Sequence, residues 1–272
     1  MIHTTDKSWN SPTTLYIARR LQTIAKGGAL SVLDMGCGDG TIIEFLMDYG
    51  YDLYGYDFPE MSAYLKNRLS RYFGTSYEEH LHIAKNEWTI PFDDDSFDVI
   101  YANQVFEHIK FMDRMLQECT RVLKPNGILL ANFPLATRPV ETHLGIPFAH
   151  WLPPGHCRIK YLSLFYTLGL RPKSKGMSAM EMAIKQDRYL KERTFYRFMN
   201  EILSLFAVHF ESFQCETDLL IRSKLDLMKI DKNPMNRWFG AFLGHLRGNR
   251  FYSLVTHLVN AAFYVSYPKK HS

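Results

Sequence analysis

Val32 to Gly40 reads VLDMGCGDG, a short apolar run that breaks into glycines. Gly36 and Gly38 stand where a dinucleotide-binding loop keeps its first two glycines, but Thr41 occupies the place of the third. Glycines here let the backbone turn sharply at a strand end and approach a ligand closely. The missing third glycine disfavours tight packing around a pyrophosphate.

Working outward, SPTTLYIARRLQTIAKGG predicts a helix: Ser11 caps it, Pro12 suits its first turn, Ile17, Leu21 and Ile24 form a stripe, and Gly27 ends it. ALSVLDMG is then a strand, TIIEFLMDYG a helix stopping at Gly50, and YDLYGYDF a second strand ending in Asp57. The pattern repeats through a helix striped by Met61, Leu65, Leu69 and Tyr72, strands LHIA and FDVIYA, and a helix striped by Val105, Ile109, Met112, Leu116 and Cys119. KPNG reads as a turn before a fifth strand, ILLANFP. Alternation of this kind implies an α/β fold, a doubly wound and mostly parallel sheet with right-handed crossovers. Two further strands, in HFESFQCETDLLI and AFYVSY, with helices at 238–246 and 251–259, complete seven strands. The expected divisions are a ligand-binding core over 1–134, a loop and helical lid insertion over 135–208, and a C-terminal completion of the sheet over 209–272.

In an open parallel sheet the ligand lies beyond the carboxyl ends of the strands, beside the first. Asp34 and Asp39 put carboxylates there, which repel a diphosphate and suit a ligand with an amine and a sulfonium. S-adenosylmethionine carries both. Its ammonium is expected near Asp34, its carboxylate on the loop amides and the helix entry at Thr41, and its ribose hydroxyls on Asp57.

Four ordered motifs, VLDMGCGDG, LYGYDFP, TIPFDDDSFDVIYANQVFEHI and ECTRVLKPNGILLANFP, resemble the class I S-adenosylmethionine-dependent methyltransferases, in the branch that includes the quinone-biosynthesis enzymes. The resemblance covers Ser31 to Pro134 and implies a Rossmann-like fold. It implies that Gly36 and Gly38 bracket the methionine end, Asp57 takes the ribose, Phe58 packs on the adenine, Asn86 and Glu87 meet the adenine amine, and Asn103 lines the methionine portion. Ile90, Pro91, Phe92 and Phe97 are expected to pack rather than to bind.

Methyl transfer is an in-line displacement, so the protein must align an acceptor and exclude water. A hydroxyl acceptor also calls for a general base. His108, in FEHI, and His143 and His150, in VETHLGIPFAHWLPPGH, are the candidates, the two loop histidines being expected to touch acceptor. Some relatives in this superfamily bind a divalent cation through Glu-x-x-Glu-His and a later histidine. Gln104 replaces the first carboxylate here, leaving Glu107, His108 and His143, and no metal is expected.

Between Arg158 and Arg197 ten basic residues face Glu181, Asp187 and Glu192, which suits an anionic or lipid-linked acceptor or an acidic membrane surface. The overall charge of +4 over 272 residues gives no nucleic-acid footprint. Four scattered cysteines without a C-x-x-C pair, and an N-terminus without the features of a signal peptide, suggest a reduced, cytoplasmic setting, membrane-peripheral at most. Phe251 to Tyr267 has no acidic residue, lysine or arginine, but reads as a buried or interfacial element rather than a span. The expected activity is O-methylation of a glycan, lipid-linked sugar or secondary metabolite. Quinone-type C-methylation, a non-catalytic cofactor-binding role and an NAD-dependent oxidoreductase are the alternatives.

Overall fold

The computed structural model describes residues 11–57, 73–84, 89–230 and 261–269. Phe58, Asn86, Glu87, most of the helix striped by Met61 to Tyr72, and the helices expected at 238–246 and 251–259 lie outside the described residues. Seven strands form one sheet: β1 Ser31–Met35, β2 Asp52–Asp57, β3 Leu81–Ile83, β4 Phe97–Asn103, β5 Leu123–Phe133, β6 Phe210–Cys215 and β7 Ala261–Pro268, in the order β3-β2-β1-β4-β5-β7-β6. The first five run parallel and β7 is antiparallel to both neighbours. The chain leaves β1 toward β2 on one side and returns to β4 on the other, so β1 and β4 flank the switch point where an open sheet leaves a crevice.

Both faces of the sheet are covered, which is why its central strands read as continuous apolar runs. On one face Val32, Val99, Tyr101 and Leu130 pack with Ile17, Ala18 and Leu21 of α1 (Pro12–Ala25) and with Ile43 and Leu46 of α2 (Thr41–Leu46). On the other face Leu33, Ile100, Leu129, Ala131 and Phe263 meet Met115, Leu116 and Cys119 of α4 (Met112–Val122) and Ile202 and Phe206 of α7 (Met199–His209). A one-turn α3, Tyr77–His80, precedes β3. Ser11 caps α1 by accepting from the Thr14 amide at 3.0 Å, and Lys26, at φ 47°, turns the chain out of it.

A second layer has its own apolar cluster. Ile146 and Ala149 of the loop after β5 pack with Leu162 and Tyr166 of α5 (His156–Thr167) and with Met182, Ala183 and Leu190 of α6 (Ala179–Arg193). Buried Arg158 of α5 ties the two helices together, its Nε donating to Asp187 Oδ1 of α6 at 2.6 Å.

Three elements depart from the sequence expectation. Val105 to Cys119 is not one helix: Phe106–His108 forms a 3-10 turn and α4 starts at Met112, although all five stripe residues are buried. The Arg197 guanidinium donates to the carbonyls of Phe106, Ile109 and Lys110 at 3.1, 2.7 and 2.9 Å, so those groups are satisfied without a helix. Within β5, KPNG bulges out, as the pairing jumps from Phe97 with Leu123 to Val99 with Ile128. After Cys215 the chain enters α8 (Thr217–Ile230) instead of continuing as strand, since Leu220 and Ile221 are buried at helical spacing with Leu225.

Of the segment Phe251 to Tyr267, the described part is β7, an interior strand. Among the described residues no helix is long and apolar enough to cross a membrane.

Candidate active site

The glycine loop follows β1 into the crevice. Gly36 sits at φ 74°, and a Cβ there would lie 2.3 Å from Val105 Cγ2, just past β4, so the loop and the β4 exit touch only because residue 36 lacks a side chain. Gly38, at φ 55°, gives its amide to Asp57 Oδ2 at 2.9 Å, which couples the loop to the end of β2.

The loop amides are engaged within the chain. Gly36 and Cys37 donate to the Tyr56 carbonyl, Gly40 to that of Cys37, and the Thr41 amide to Asp39 Oδ1 at 3.1 Å. The expected landing of a ligand carboxylate on the helix entry at Thr41 is therefore corrected: the chain's own Asp39 occupies it, with the Thr41 hydroxyl bonding the same oxygen at 2.6 Å.

Asp34 is the loop's unmet demand. It is 5% exposed, and its Oδ2 has no hydrogen-bond partner among the described residues. Burial, then the negative charges of Asp57 and Asp39, push its carboxyl up to about 8. Tyr101, paired with Asp34 across β1 and β4, is also buried with an unpartnered hydroxyl. At the end of β4, Asn103 Oδ1 accepts from Asn132 Nδ2 at 2.9 Å, which fixes the amide of Asn103.

A second constellation lies past β4 and β5. Gln104, at φ 58° and with its amide on the Asn132 carbonyl, bends the chain so that Glu107 and His108 sit in the 3-10 turn. His108 Nδ1 faces the Arg193 carbonyl at 2.6 Å and so carries a hydrogen. His143 Nδ1 lies 2.9 Å from Glu141 Oε1 and 3.0 Å from the Tyr196 hydroxyl. Glu141 is fully buried, yet hydrogen bonds from His143, Tyr196 and the Leu144 amide outweigh desolvation and hold its carboxyl at about 2, so it is an acceptor.

With both Nδ1 atoms donating, the remaining nitrogens, His108 Nε2 and His143 Nε2, face each other at 3.1 Å. Two lone pairs oppose each other there, and this geometry is completed when one proton is taken up between the rings. Glu107 is 1% exposed, neither oxygen has a partner among the described residues, and burial pushes its carboxyl up to about 8. Glu107, His108 and His143 are also where a cation could be held, since one ligand atom of each lies within 4.8 Å of the others.

Beside this cluster opens a cleft of about 830 Å³, walled largely by apolar groups including Trp151, Leu152, Pro153, Leu190, Phe195 and Phe198. His150 lines it, packed at a tilt against Tyr196 with ring centroids 4.7 Å apart. Its Nε2 faces the Ala136 carbonyl at 3.2 Å and so donates, leaving Nδ1 a buried lone pair without a partner among the described residues. The three histidines named from the sequence therefore meet in one region, but by different routes: His108 and His143 as a pair, His150 through Tyr196. Tyr196 was not singled out by the sequence, and its neighbours in RTFYRF carry no motif. Glu141 stands in VETHLG beside His143, where Glu-x-His was the available signal.

A sequence model of the methyltransferase domain matches residues 33–131, which hold the glycine loop, Asp57 and the β4 turn. That segment belongs to the class I S-adenosylmethionine-dependent methyltransferase superfamily. A ubiquinone biosynthesis O-methyltransferase of Agrobacterium fabrum is 29% identical over 129 residues, covering 46% of this chain and 50% of that protein. A sterol 4-C-methyltransferase of Caenorhabditis elegans is 34% identical over 95 residues, 35% of this chain and 28% of that protein. The chain thus spans half or less of the length of these curated relatives. The phosphoethanolamine N-methyltransferase 2 of Haemonchus contortus, solved with S-adenosyl-L-methionine, shares the fold with a TM-score of 0.51 at 14% identity, over 95% of this chain and 52% of that one.

The domain's cofactor is S-adenosylmethionine, and the residues fit it. A buried carboxylate lacking a partner matches a ligand ammonium, and the side-chain-free approach at Gly36 matches a ligand lying along the loop.

Proposed function

We propose that the protein is an O-methyltransferase whose acceptor is a small hydroxyl compound, lipid-linked or aromatic, with a glycan or secondary metabolite head. The observation that carries this reading is the His108–His143 pair beside an apolar cleft, a base cluster that carbon methylation of a stabilised carbanion would not need. The ubiquinone relatives, named as O-methyltransferases, support transfer to oxygen. The exposed bases of α5 and α6 support an anionic or membrane-borne acceptor.

Asp34, Gly36, Gly38, Asp57 and Asn103 hold the cofactor in this reading, with Phe58, Asn86 and Glu87 assigned to the adenine by resemblance. Bound S-adenosylmethionine supplies an electrophilic methyl carbon on a positively charged sulfur. The chain's own groups do the rest. His150, which lines the cleft, helps orient the acceptor so that its hydroxyl proton faces the histidine pair. Nε2 of the histidine pair then takes that proton, and buried Glu141 stabilises the imidazolium that results, with Tyr196 donating to the same carboxylate. The apolar walls keep water out, and alignment supplies on the order of 7–11 kcal/mol of barrier reduction.

The test is incubation with S-adenosylmethionine and a panel of phenols, prenylated hydroquinones and lipid-linked sugars. Formation of S-adenosylhomocysteine with a product one methylene heavier at oxygen is expected. A product methylated at carbon, or calorimetric binding of NAD and not of the sulfur ligands, overturns it.

A further inference from the structure

We propose that the mouth of the cleft and the outward stripe of α6 form a docking surface for an anionic lipid bilayer. That the docked face feeds acceptor into the cleft rests on the reading above; docking itself needs no acceptor. At 3.6 residues per turn, positions 180, 184, 188 and 191 fall within about 80° of one another around α6. That sector presents Met180 and Ile184, 47% and 42% exposed, alongside exposed Arg188 and Lys191. Lys191 also lines the cleft, whose rim holds Trp151 and Phe198, 51% and 55% exposed, so the stripe runs on into the mouth. Phe148, 46% exposed, packs at a tilt against Trp151 at 4.9 Å between centroids and widens the apolar rim.

Folding sorts the charges in the same direction. Of the bases between Arg158 and Arg197, Arg158 is spent on Asp187, Arg171 on the Gly145 carbonyl and Arg197 on four backbone carbonyls. Lys173, Lys175, Lys185 and Arg188 remain exposed. Of the acids, Asp187 is buried, Glu181 is drawn to the N-terminus of α6, where it accepts from the Ser178 amide at 2.8 Å, and Glu192 is exposed, about 40° around the helix from Arg188. On the sector from Met180 to Arg188 what faces water is therefore apolar anchors set beside Arg188 and Lys191, and the exposed bases of the stretch outnumber exposed Glu181 and Glu192, a composition that seats in the headgroup region of a negatively charged membrane. Lysines spread over a loop and a helix face answer a field of headgroups better than one discrete acidic partner.

The experiment is sedimentation of the full chain with phosphatidylcholine vesicles, with and without phosphatidylglycerol, at low and high salt. Binding only to the phosphatidylglycerol vesicles, weakened by salt, is expected. The M180S/I184S double variant should partition roughly tenfold less, because it removes two half-exposed apolar anchors. Its melting temperature and its turnover of a water-soluble acceptor should match the parent. Failure of the parent to bind phosphatidylglycerol vesicles, or equal binding by parent and variant, overturns the proposal. So does a concentration-dependent dimer that the double variant abolishes without any vesicle binding, which assigns the stripe to a second copy. Vesicle binding by a protein that methylates no lipid-linked acceptor leaves the docking surface standing and overturns only the acceptor reading.

Discussion

His108 Nε2 and His143 Nε2 lie 3.1 Å apart although the residues are separated by 35 positions, and each ring's other nitrogen is held by an acceptor, the Arg193 carbonyl for one and Glu141 for the other. The pair is thus oriented from both ends, with its proton-binding edges turned toward each other. If it serves as the base, His143→Gln keeps the hydrogen-bonding shape but removes basicity, and turnover should fall by about 10² or more with cofactor affinity little changed. Desolvation holds His108 below its ordinary value, so the acidic limb of the pH profile should be low in the parent and disappear in the variant. A modest, pH-independent loss with a lower melting temperature would instead mean that the pair only packs. In that case His150→Gln becomes the decisive variant.

Asp34 gives a prediction about stability. Its carboxyl is raised to about 8 in the folded chain from an ordinary value near 3.8, so the native state binds this proton more tightly than the unfolded state. The melting temperature without cofactor should therefore fall as pH rises from about 4 to about 8, and level off above. Glu107, also raised to about 8, acts with the same sign. Asp34→Asn should flatten the slope without abolishing it and melt higher than the parent at pH 8, while weakening S-adenosylmethionine binding. An unchanged slope in the variant would mean that Asp34 is ionised throughout.

Arg197 takes no part in the proposed proton transfer, yet it replaces a missing helix turn. Truncation to Ala removes the guanidinium donor from the carbonyls of Ile109 and Lys110 and leaves that of Phe106 with only the Ile109 amide. Hydrogen bonds from a charged donor contribute about 1.5–3 kcal/mol each and are not additive, so a loss of roughly 2–4 kcal/mol in denaturant unfolding is expected. Because the same turn carries Glu107 and His108, activity should drop too. Stability within about 0.5 kcal/mol of the parent would show that water satisfies those carbonyls.

Metal dependence is decided by chelation. With Gln104 in place of a carboxylate, and a proton able to sit between the two imidazoles, we expect turnover to survive exhaustive chelation. Activity abolished by chelator and restored by magnesium or manganese would assign a cation to Glu107, His108 and His143.

The sequence by itself determined the alternating strands and helices, the glycine turn at Gly36 and Gly38, and the acidic residues Asp34 and Asp57 at the ends of β1 and β2. Each of these is set by local chemistry: side-chain period, glycine's access to positive φ, and strand ends that must open into the crevice of a parallel sheet. Burial of Val105 to Cys119 was legible for the same reason, but the backbone there was not, because Arg197, 88 positions beyond Ile109, takes the carbonyls a helix would have used. Only the tertiary structure joined His143 to His108, and to Tyr196 53 positions away, since that meeting needs α5 and α6 to fold back over the ends of β4 and β5. It also turned a run of ten bases into an exposed cationic face, by burying Arg158 and engaging Arg171 and Arg197 in contacts that no spacing along the chain reveals.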